Sequence, residues 1–381
     1  MRKFFLTFTC IVPLTLIAQE KQSIDLKDIP FTGYVEILWD EKVGPETSGQ
    51  AITDSNNLYL IAAKSNVRGR NEFGQLCALN KKDGTLIWKS DKQVGLPLHH
   101  VQIDGNELFY TTRNSIVSVD KTTGKTNWAV WNPFSVMIGT TCGIHENVIV
   151  AGTPDGELFA VSRQDGKMLW KKKISDLYTP PIYTFKDVFL VACPDDGIYA
   201  LDVATGNTNW YYKSKCSEFM SIQENKCYFG NGYRGFTCLN LDTGTEVWTK
   251  EIDDGNPFVN GKKYSCPALF SAEPKIIGDV IYGGDNAHTV ASMDKHTGEI
   301  IWIDYFPDKK SSRLIIYKDC LLMTSIDAFI LINVNGKIVS KDKIPSSMID
   351  KEFPIKIFIE GEDLFLTNSK GKVARAVLKN N

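Results

Sequence analysis

The feature that most constrains the fold is a repeat in which a glycine is followed, four residues later, by a tryptophan. Six copies occur in the 381-residue chain, at Gly84/Trp88, Gly124/Trp128, Gly166/Trp170, Gly206/Trp210, Gly244/Trp248 and Gly298/Trp302. Successive tryptophans are 40, 42, 40, 38 and 54 residues apart. A period of about 40 to 45 residues matches one four-stranded blade of a β-propeller. Helical solenoids have similar periods, but here the segments between copies alternate apolar and polar residues, as strands do.

Each copy also carries the residues of a tight turn. A short polar residue, such as Asp120 or Asp202, stands four positions before the glycine. Such side chains bond the turn backbone, and glycine adopts the positive φ that closes a hairpin. The tryptophan then falls at a fixed place on the outer strand, where its ring can pack between adjacent sheets. We predict this docking role for Trp39, Trp88, Trp128, Trp170, Trp210, Trp248 and Trp302, which leaves only Trp131 without a structural role.

Two further copies are incomplete. A seventh has Ser340 where the tryptophan belongs, and an eighth, starting at Phe353, ends one strand short. Residues 34–39 read as an outer strand, with Trp39, that has no blade of its own. Pairing this segment with the C-terminal blade would close the ring and remove both free edges. We therefore predict an all-β fold, an eight-bladed β-propeller of four-stranded antiparallel blades closed by an N-terminal strand, with seven blades as the alternative.

The repeats are similar to those of a known family. Residues 118–128 (SVDKTTGKTNW) and 200–210 (ALDVATGNTNW) resemble the tryptophan-docking repeat of the pyrroloquinoline-quinone (PQQ)-like, or quinoprotein alcohol dehydrogenase-like, β-propellers. The resemblance covers nearly the whole chain after its first residues. It implies the fold and says little about activity, since the family includes both quinoprotein dehydrogenases and non-catalytic binding propellers such as an outer-membrane assembly factor.

The first residues have the pattern of an export signal. Arg2 and Lys3 precede an apolar stretch, residues 4–17, and Ala18 ends a plausible cleavage site. The stretch is shorter than the roughly 20 residues of a membrane-spanning helix, and no second run of that length follows. We predict a signal peptide at residues 1–18, a single propeller domain at 19–381, no transmembrane span, and a periplasmic or cell-surface location.

Charge and cysteine content exclude other classes of protein. Lys and Arg total 43 against 45 Asp and Glu, without a basic cluster, so nucleic acid is not an expected partner. No C-x-x-C pair points to zinc or redox chemistry. Cys227 and Cys238 lie symmetrically about a glycine-rich turn, which predicts that they face each other across a hairpin. Two buried thiols and a cross-strand disulfide are both open for this pair.

Propeller topology predicts where a ligand binds. Loops that leave each outer strand for the next inner strand share one face with the loops joining second and third strands. Two insertions, residues 64–75 and 253–264, are expected on that face. The predicted ligand-binding residues are Arg68, Arg70, His99, His100, Trp131, Tyr233, Arg234, Asp285 and His288. Such a mixture of aromatic, cationic and acidic side chains can hold a peptide strand or a glycan.

The sequence lacks a convincing catalytic set. Quinoprotein dehydrogenases of the resembled family are longer and hold the quinone against a disulfide between adjacent cysteines, whereas this chain has no Cys-Cys step. We therefore predict no catalytic residue, metal site or cofactor, PQQ and calcium included. The leading hypothesis is an exported, monomeric, non-catalytic scaffold that binds an envelope protein or glycan. The rival is an enzyme acting in the central funnel, either quinone-dependent or a polysaccharide lyase using His99 or His100.

Overall fold

The described part of the chain consists of β-strands joined by turns and loops. The computed structural model describes residues 29–44, 46–64, 73–91, 94–95, 101–112, 114–134, 138, 140–176, 181–217, 219–231, 235–251, 258–259, 262–263, 273–284, 289–305, 314–325, 327–349 and 355–380. These residues include no helix. Within them, accordingly, nothing resembles an apolar helix of membrane-spanning length.

Most strands are grouped into antiparallel units of four, which we number in chain order. The first strand, β1 (Gly33–Lys42), belongs to the last unit. Unit 1 contains β2 (Glu46–Thr53), β3 (Asn57–Lys64), β4 (Phe73–Asn80) and β5 (Leu86–Lys89), and the short β6 (Val94–Gly95) pairs with β4. Unit 2 contains β7 (Gln102–Asp104), β8 (Glu107–Thr111), β9 (Ser115–Asp120) and β10 (Thr126–Trp131). Unit 3 contains β11 (Gly143–His145), β12 (Val148–Gly152), β13 (Glu157–Ser162) and β14 (Met168–Lys173).

The same order of strands continues along the chain. Unit 4 contains β15 (Ile182–Phe185), β16 (Val188–Cys193), β17 (Gly197–Asp202) and β18 (Thr208–Lys213). Unit 5 contains β19 (Met220–Gln223), β20 (Lys226–Gly230), β21 (Gly235–Asn240) and β22 (Glu246–Glu251). A hairpin of β23 (Phe258–Val259) and β24 (Lys262–Lys263) precedes unit 6, which contains β25 (Lys275–Ile277), β26 (Val280–Gly284), β27 (Thr289–Asp294) and β28 (Ile300–Tyr305).

The last two units form one eight-stranded sheet. Unit 7 contains β29 (Ile315–Tyr317), β30 (Cys320–Thr324), β31 (Ala328–Asn333) and β32 (Ile338–Lys343). Unit 8 contains β33 (Lys356–Glu360), β34 (Asp363–Thr367), β35 (Lys372–Asn380) and, as its outer strand, β1. Strand pairing joins the two units only where β1 runs parallel to β32, with Gly33 opposite Asp342 and Tyr34 opposite Lys343.

The N-terminal strand closes the structure. Strand β1 pairs antiparallel with β35 from Gly33 opposite Asn380 to Lys42 opposite Lys372. The predicted all-β propeller of four-stranded antiparallel blades, closed by an N-terminal strand, is confirmed. The number of blades stays a prediction, because units 7 and 8 share one sheet.

The hydrophobic core lies between successive units. Tyr59 of unit 1 and Leu108 of unit 2 share one cluster of buried residues, and equivalent clusters follow between each pair of neighbours. The last cluster joins the chain ends, since Phe365 of unit 8 packs with Leu58 and Leu60 of unit 1. Fully burying one such side chain stabilises the fold by about 1.5 to 3 kcal/mol. The core is therefore continuous from the last unit back to the first.

Each repeat tryptophan contacts the turn of the next unit. The indole N–H donates a hydrogen bond to a backbone carbonyl oxygen there, at 2.8 to 3.2 Å. The seven pairs are Trp39 with Lys81, Trp88 with Lys121, Trp128 with Arg163, Trp170 with Val203, Trp210 with Leu241, Trp248 with Lys295 and Trp302 with Val334. The ring also covers the turn glycine: a Cβ on Gly206, whose φ is +72°, would lie 2.8 Å from the Trp170 ring. Glycine is required there for both its φ and its size.

The missing tryptophan of unit 7 has a structural reason. A tryptophan needs the turn between the third and fourth strands of the next unit. Unit 8 has no such turn, because its fourth strand is β1, from the N-terminal part of the chain, and does not follow its third strand, β35, in sequence. Ser340, which replaces the tryptophan, instead donates a hydrogen bond to Asp342 at 2.7 Å.

Every outer strand has a β-bulge immediately before the docking position. The register shifts there in all eight units, so one residue of each outer strand is left without a partner in the adjacent strand. The bulge residues are Leu38, Ile87, Asn127, Leu169, Asn209, Val247, Ile301 and Val339. Bulges at sheet edges twist the strand and disrupt its pairing surface.

The prediction that Cys227 and Cys238 face each other across a hairpin is wrong by one residue. Cys227 lies opposite Leu239, and Cys238 lies opposite Tyr228. Neighbouring register positions point to opposite faces of a sheet. Accordingly, Cys227 packs in the cluster between units 4 and 5 and Cys238 in the cluster between units 5 and 6. The two sulfur atoms are therefore on opposite sides of the sheet, and both residues are buried free thiols.

Candidate interaction surface

Only one predicted ligand-binding residue lies within the described part of the chain. Trp131 ends β10, the outer strand of unit 2, and 73% of its surface is exposed. The other predicted positions, Arg68, Arg70, His99, His100, Tyr233, Arg234, Asp285 and His288, lie outside the described residues. Among the predicted ligand-binding residues, Trp131 is therefore the one whose surroundings the structure describes.

Strand β10 presents its two faces differently. Trp128 and Val130 face unit 3 and contact Gly166, while Ala129 and Trp131 are exposed on the opposite face of the strand. Antiparallel pairing with β9 places Trp131 opposite Ser115. An exposed tryptophan offers a large, rigid apolar surface, and such residues are enriched where proteins bind each other.

A second group of side chains lies on the same face of the ring as Trp131. It is centred on Asp196, in the turn joining the second and third strands of unit 4. The hydroxyl groups of Tyr199 and Tyr211 each donate to one oxygen of this carboxylate, both at 2.6 Å. The two tyrosine rings lie 4.5 Å apart. Hydrogen bonds from Tyr199 and Tyr211 lower the pKa of Asp196, and burial together with the carboxylate raises the pKa of Tyr211 to about 12.

This tyrosine group was not found from the sequence. Asp196 stands in a Pro-Asp-Asp-Gly turn, but no local pattern connects it to a residue 15 positions further along. Both of its carboxylate oxygens accept hydrogen bonds from tyrosine, so a structural role accounts for them. In the described residues, no three His, Cys, Asp or Glu side chains are grouped so as to hold a metal ion.

The opposite face of the ring is joined by ion pairs between neighbouring units. Several residues whose carbonyl oxygen accepts the indole hydrogen bond also extend a cationic side chain to the preceding unit. Lys81 Nζ lies 2.9 Å from Glu360 of unit 8, Lys121 Nζ lies 3.2 Å from Asp54 of unit 1, and Arg163 pairs with Asp104 and Glu107 of unit 2. Because these charges are already paired, the face that carries Trp131 is the better candidate for binding a partner.

The fold defines a class of protein. Four-stranded units linked by docked tryptophans, with a core that returns to its start, form a β-propeller of the PQQ-repeat type. A model of this repeat family, described as outer membrane protein assembly factor BamB, matches residues 35–176, 112–221 and 218–304. The chain belongs to this family.

Curated relatives share low sequence identity with the chain. An outer membrane protein assembly factor BamB from Burkholderia pseudomallei is 24% identical over 242 residues, which cover 51% of this chain and 62% of that protein. One of the same name from Shewanella oneidensis is 20% identical over 285 residues, covering 70% and 69% of the two chains. A quinoprotein ethanol dehydrogenase from Pseudomonas putida is 28% identical over 140 residues, covering 31% and 21%.

Solved structures support the fold. The crystal structure of BamB from Moraxella catarrhalis has a TM-score of 0.70 at 14% identity and covers 91% of this chain and 98% of its own. A computationally designed protein, Ika8, has a TM-score of 0.68 at 11% identity. Similarity at such low identity extends to the fold and not to the activity.

Proposed function

We propose that this protein is an exported, non-catalytic scaffold of the cell envelope that binds another protein. The observation that carries the proposal is the family match across residues 35–304 to a model described as an outer membrane protein assembly factor. The predicted signal peptide at residues 1–18 supports export. We further propose eight blades, because eight buried clusters join successive units within the described residues. The monomeric state predicted from the sequence stays part of the proposal.

We place the binding surface on the face that carries Trp131. There the side chain of Trp131 is largely exposed, whereas on the opposite face many charged groups bind neighbouring units. From the sequence we also assign Arg68, Arg70 and Arg234, which lie outside the described residues, to this proposed surface.

Site-specific photo-crosslinking in intact cells tests this proposal. A photoreactive phenylalanine analogue in place of Trp131 should capture a discrete envelope protein. The same analogue in place of Lys125, an exposed turn residue on the opposite face, is the matched control and should capture none. Equal capture at both positions, or none at either, would remove the proposed surface. Capture of glycan in place of protein would support the alternative ligand.

The triple variant Arg68→Ala, Arg70→Ala, Arg234→Ala examines the loop residues separately. If these cations contribute to the surface, the crosslink at position 131 should weaken. An unchanged crosslink would exclude them from the partner contact while leaving Trp131 in place.

A quinone-dependent enzyme is a second candidate because one relative is a quinoprotein ethanol dehydrogenase. The residues of this chain do not fit that chemistry well, since the sequence has no adjacent cysteine pair and the described residues hold no group of three metal-ligating side chains. Incubating the purified protein with PQQ and calcium, then assaying alcohol oxidation, would test this candidate. Uronate polymers would test the lyase alternative, with His99→Ala and His100→Ala as variants.

A further inference from the structure

The outer edge of unit 2 differs in charge from the other seven outer edges. The difference lies in the three residues that follow each docking position, on outer strands that, apart from the paired β1 and β32, have no further strand beside them in the described part of the chain. These are Lys89-Ser90-Asp91, Ala129-Val130-Trp131, Lys171-Lys172-Lys173, Tyr211-Tyr212-Lys213, Thr249-Lys250-Glu251, Ile303-Asp304-Tyr305, Lys341-Asp342-Lys343 and Asp40-Glu41-Lys42. Only the segment of unit 2 contains no charged residue. Charges on edge strands, lysine above all, are a common protection against pairing with another chain.

The backbone of this edge is available for pairing. The N–H of Asn132 donates to Asn114 O at 2.7 Å, toward the interior of the sheet. Because hydrogen-bonding direction alternates along an antiparallel strand, Ala129 and Trp131 direct their N–H and C=O groups away from β9. Within the described part of the chain neither residue has a strand on that side. At the start of the strand the situation differs, since Asp91 accepts a hydrogen bond from the Thr126 N–H at 3.0 Å.

The bulge defines where the free edge begins. Asn127 interrupts the register between Thr126 and Trp128, and regular pairing resumes from Trp128 to Trp131. A strand added beside β10 would therefore pair with Ala129 and Trp131 only. That pairing is short, so a side-chain anchor is needed, and the exposed indole of Trp131 lies at the end of the same segment.

We propose that the outer edge of β10 binds an extended, uncharged polypeptide segment by adding it as a fifth strand to unit 2, with Trp131 as its apolar anchor. Main-chain hydrogen bonds to Ala129 and Trp131 supply affinity, and alternate apolar side chains of the partner contact the indole. This inference rests on the proposed function, protein binding, and specifies the form of the partner and its place on the ring.

Fluorescence anisotropy with a defined probe tests the inference. The probe is a fluorescein-labelled octapeptide of alternating threonine and valine, compared with the same peptide N-methylated at every residue. Wild-type protein should bind the first peptide saturably and the second not at all, because N-methylation removes the donors that strand addition needs. Ala129→Lys gives this edge the charge that Lys171 places at the same position of unit 3, and should weaken binding about tenfold or more.

The matched control is Thr249→Lys, at the same position of unit 5, which should bind the peptide as the wild type does. Equal binding of the N-methylated peptide, equal binding by Ala129→Lys, or no saturable binding by the wild type would overturn the inference. The crosslink at position 131 separates the two proposals. If Ala129→Lys abolishes peptide binding but the photoreactive residue at position 131 still captures the envelope protein, strand addition is wrong and protein binding stands. If the photoreactive residue at position 131 captures no protein even without Ala129→Lys, the proposed function itself is wrong.

Discussion

The indole of Trp39, near the start of the chain, donates a hydrogen bond to the carbonyl oxygen of Lys81 at 3.0 Å. The ammonium group of the same lysine returns to unit 8, 2.9 Å from both carboxylate oxygens of Glu360 and 2.8 Å from Asp54 O. Lys81 thus joins unit 1 to the closing unit through both its backbone and its side chain.

Removing this lysine charge should weaken the closure. We expect Lys81→Met to lower the free energy of unfolding by about 1 to 2 kcal/mol, since hydrogen bonds to charged groups contribute more than neutral ones and this pair is only partly exposed. Urea unfolding would measure the loss. In a double-mutant cycle, adding Glu360→Gln to Lys81→Met should cost less than Glu360→Gln costs alone. Strict additivity would show that the two side chains do not interact.

Removing a docked indole should cost more. Trp170→Ala deletes a ring packed on Gly206 together with its hydrogen bond to Val203 O at 2.9 Å. We expect a loss of about 3 to 5 kcal/mol in urea unfolding, as for other large-to-small changes in packed sites. Leu169→Ala, at the exposed bulge position next to it, is the control and should change stability by less than about 0.5 kcal/mol. A loss below about 1 kcal/mol for Trp170→Ala would show that the ring is not packed.

Two glycines separate backbone strain from contact with tryptophan. Gly206 has φ +72° and lies against Trp170, while Gly278 has φ +58° with nothing within 4 Å of a Cβ. Gly278→Ala should cost about 1 to 2 kcal/mol, the cost of a left-handed backbone alone. Gly206→Ala should cost at least about 1 kcal/mol more, because its Cβ would overlap the indole ring. Equal costs, measured by thermal unfolding, would contradict the docked geometry.

Asp342 should make stability depend on pH. It lies at the seam between units 7 and 8, the place where β1 pairs with β32. Burial raises the pKa of Asp342, whose carboxyl group lies beside Gly33 of β1. A raised pKa means that the folded state holds the proton more tightly, so stability falls as pH rises from the ordinary pKa of 3.8 through the folded value. Asp342→Asn should therefore raise the melting temperature at pH 7 and have little effect near pH 3.

The control for Asp342→Asn is Asp363→Asn. Asp363 pairs with Arg375 at 2.9 Å, so its neutralisation should leave stability unchanged or lower at pH 7. A lower melting temperature for Asp342→Asn at pH 7 would show that the charged carboxylate is stabilised at the seam.

Sequence alone predicted the parts of the fold that repeat. The spacing of glycine and tryptophan located the strands, and the unpaired Trp39 segment identified the closing strand. The register around Cys227 and Cys238 was missed because a glycine-rich loop of four residues fits two registers that differ by one position. The bulges before the docking residues were also missed. The bulge residues include both aliphatic side chains, such as Leu38, and amides, such as Asn209, so no common side-chain type marks the position.

The candidate surface was harder to predict from the sequence, because its contacts join residues that are distant along the chain. Asp196 and Tyr211 are joined only through side-chain hydrogen bonds between a turn and a strand. Trp131 was found because no repeat position explained it. The lack of charge around Ala129 is visible in the sequence, but it acquires meaning only once β10 is known to be an edge strand.

Cysteine cross-linking between Tyr34 and Lys379 tests the closure most directly. These residues are partners in the ladder of β1 and β35, and both are exposed. Partners in an antiparallel ladder have Cα atoms about 4.5 to 5.5 Å apart, within the range of a disulfide. Purified Tyr34→Cys/Lys379→Cys protein should form an intramolecular disulfide linking these two positions, detected by peptide mass spectrometry, whereas Tyr34→Cys/Lys125→Cys should not. Failure of the first pair to cross-link within one chain would contradict a ring closed by its N-terminal strand.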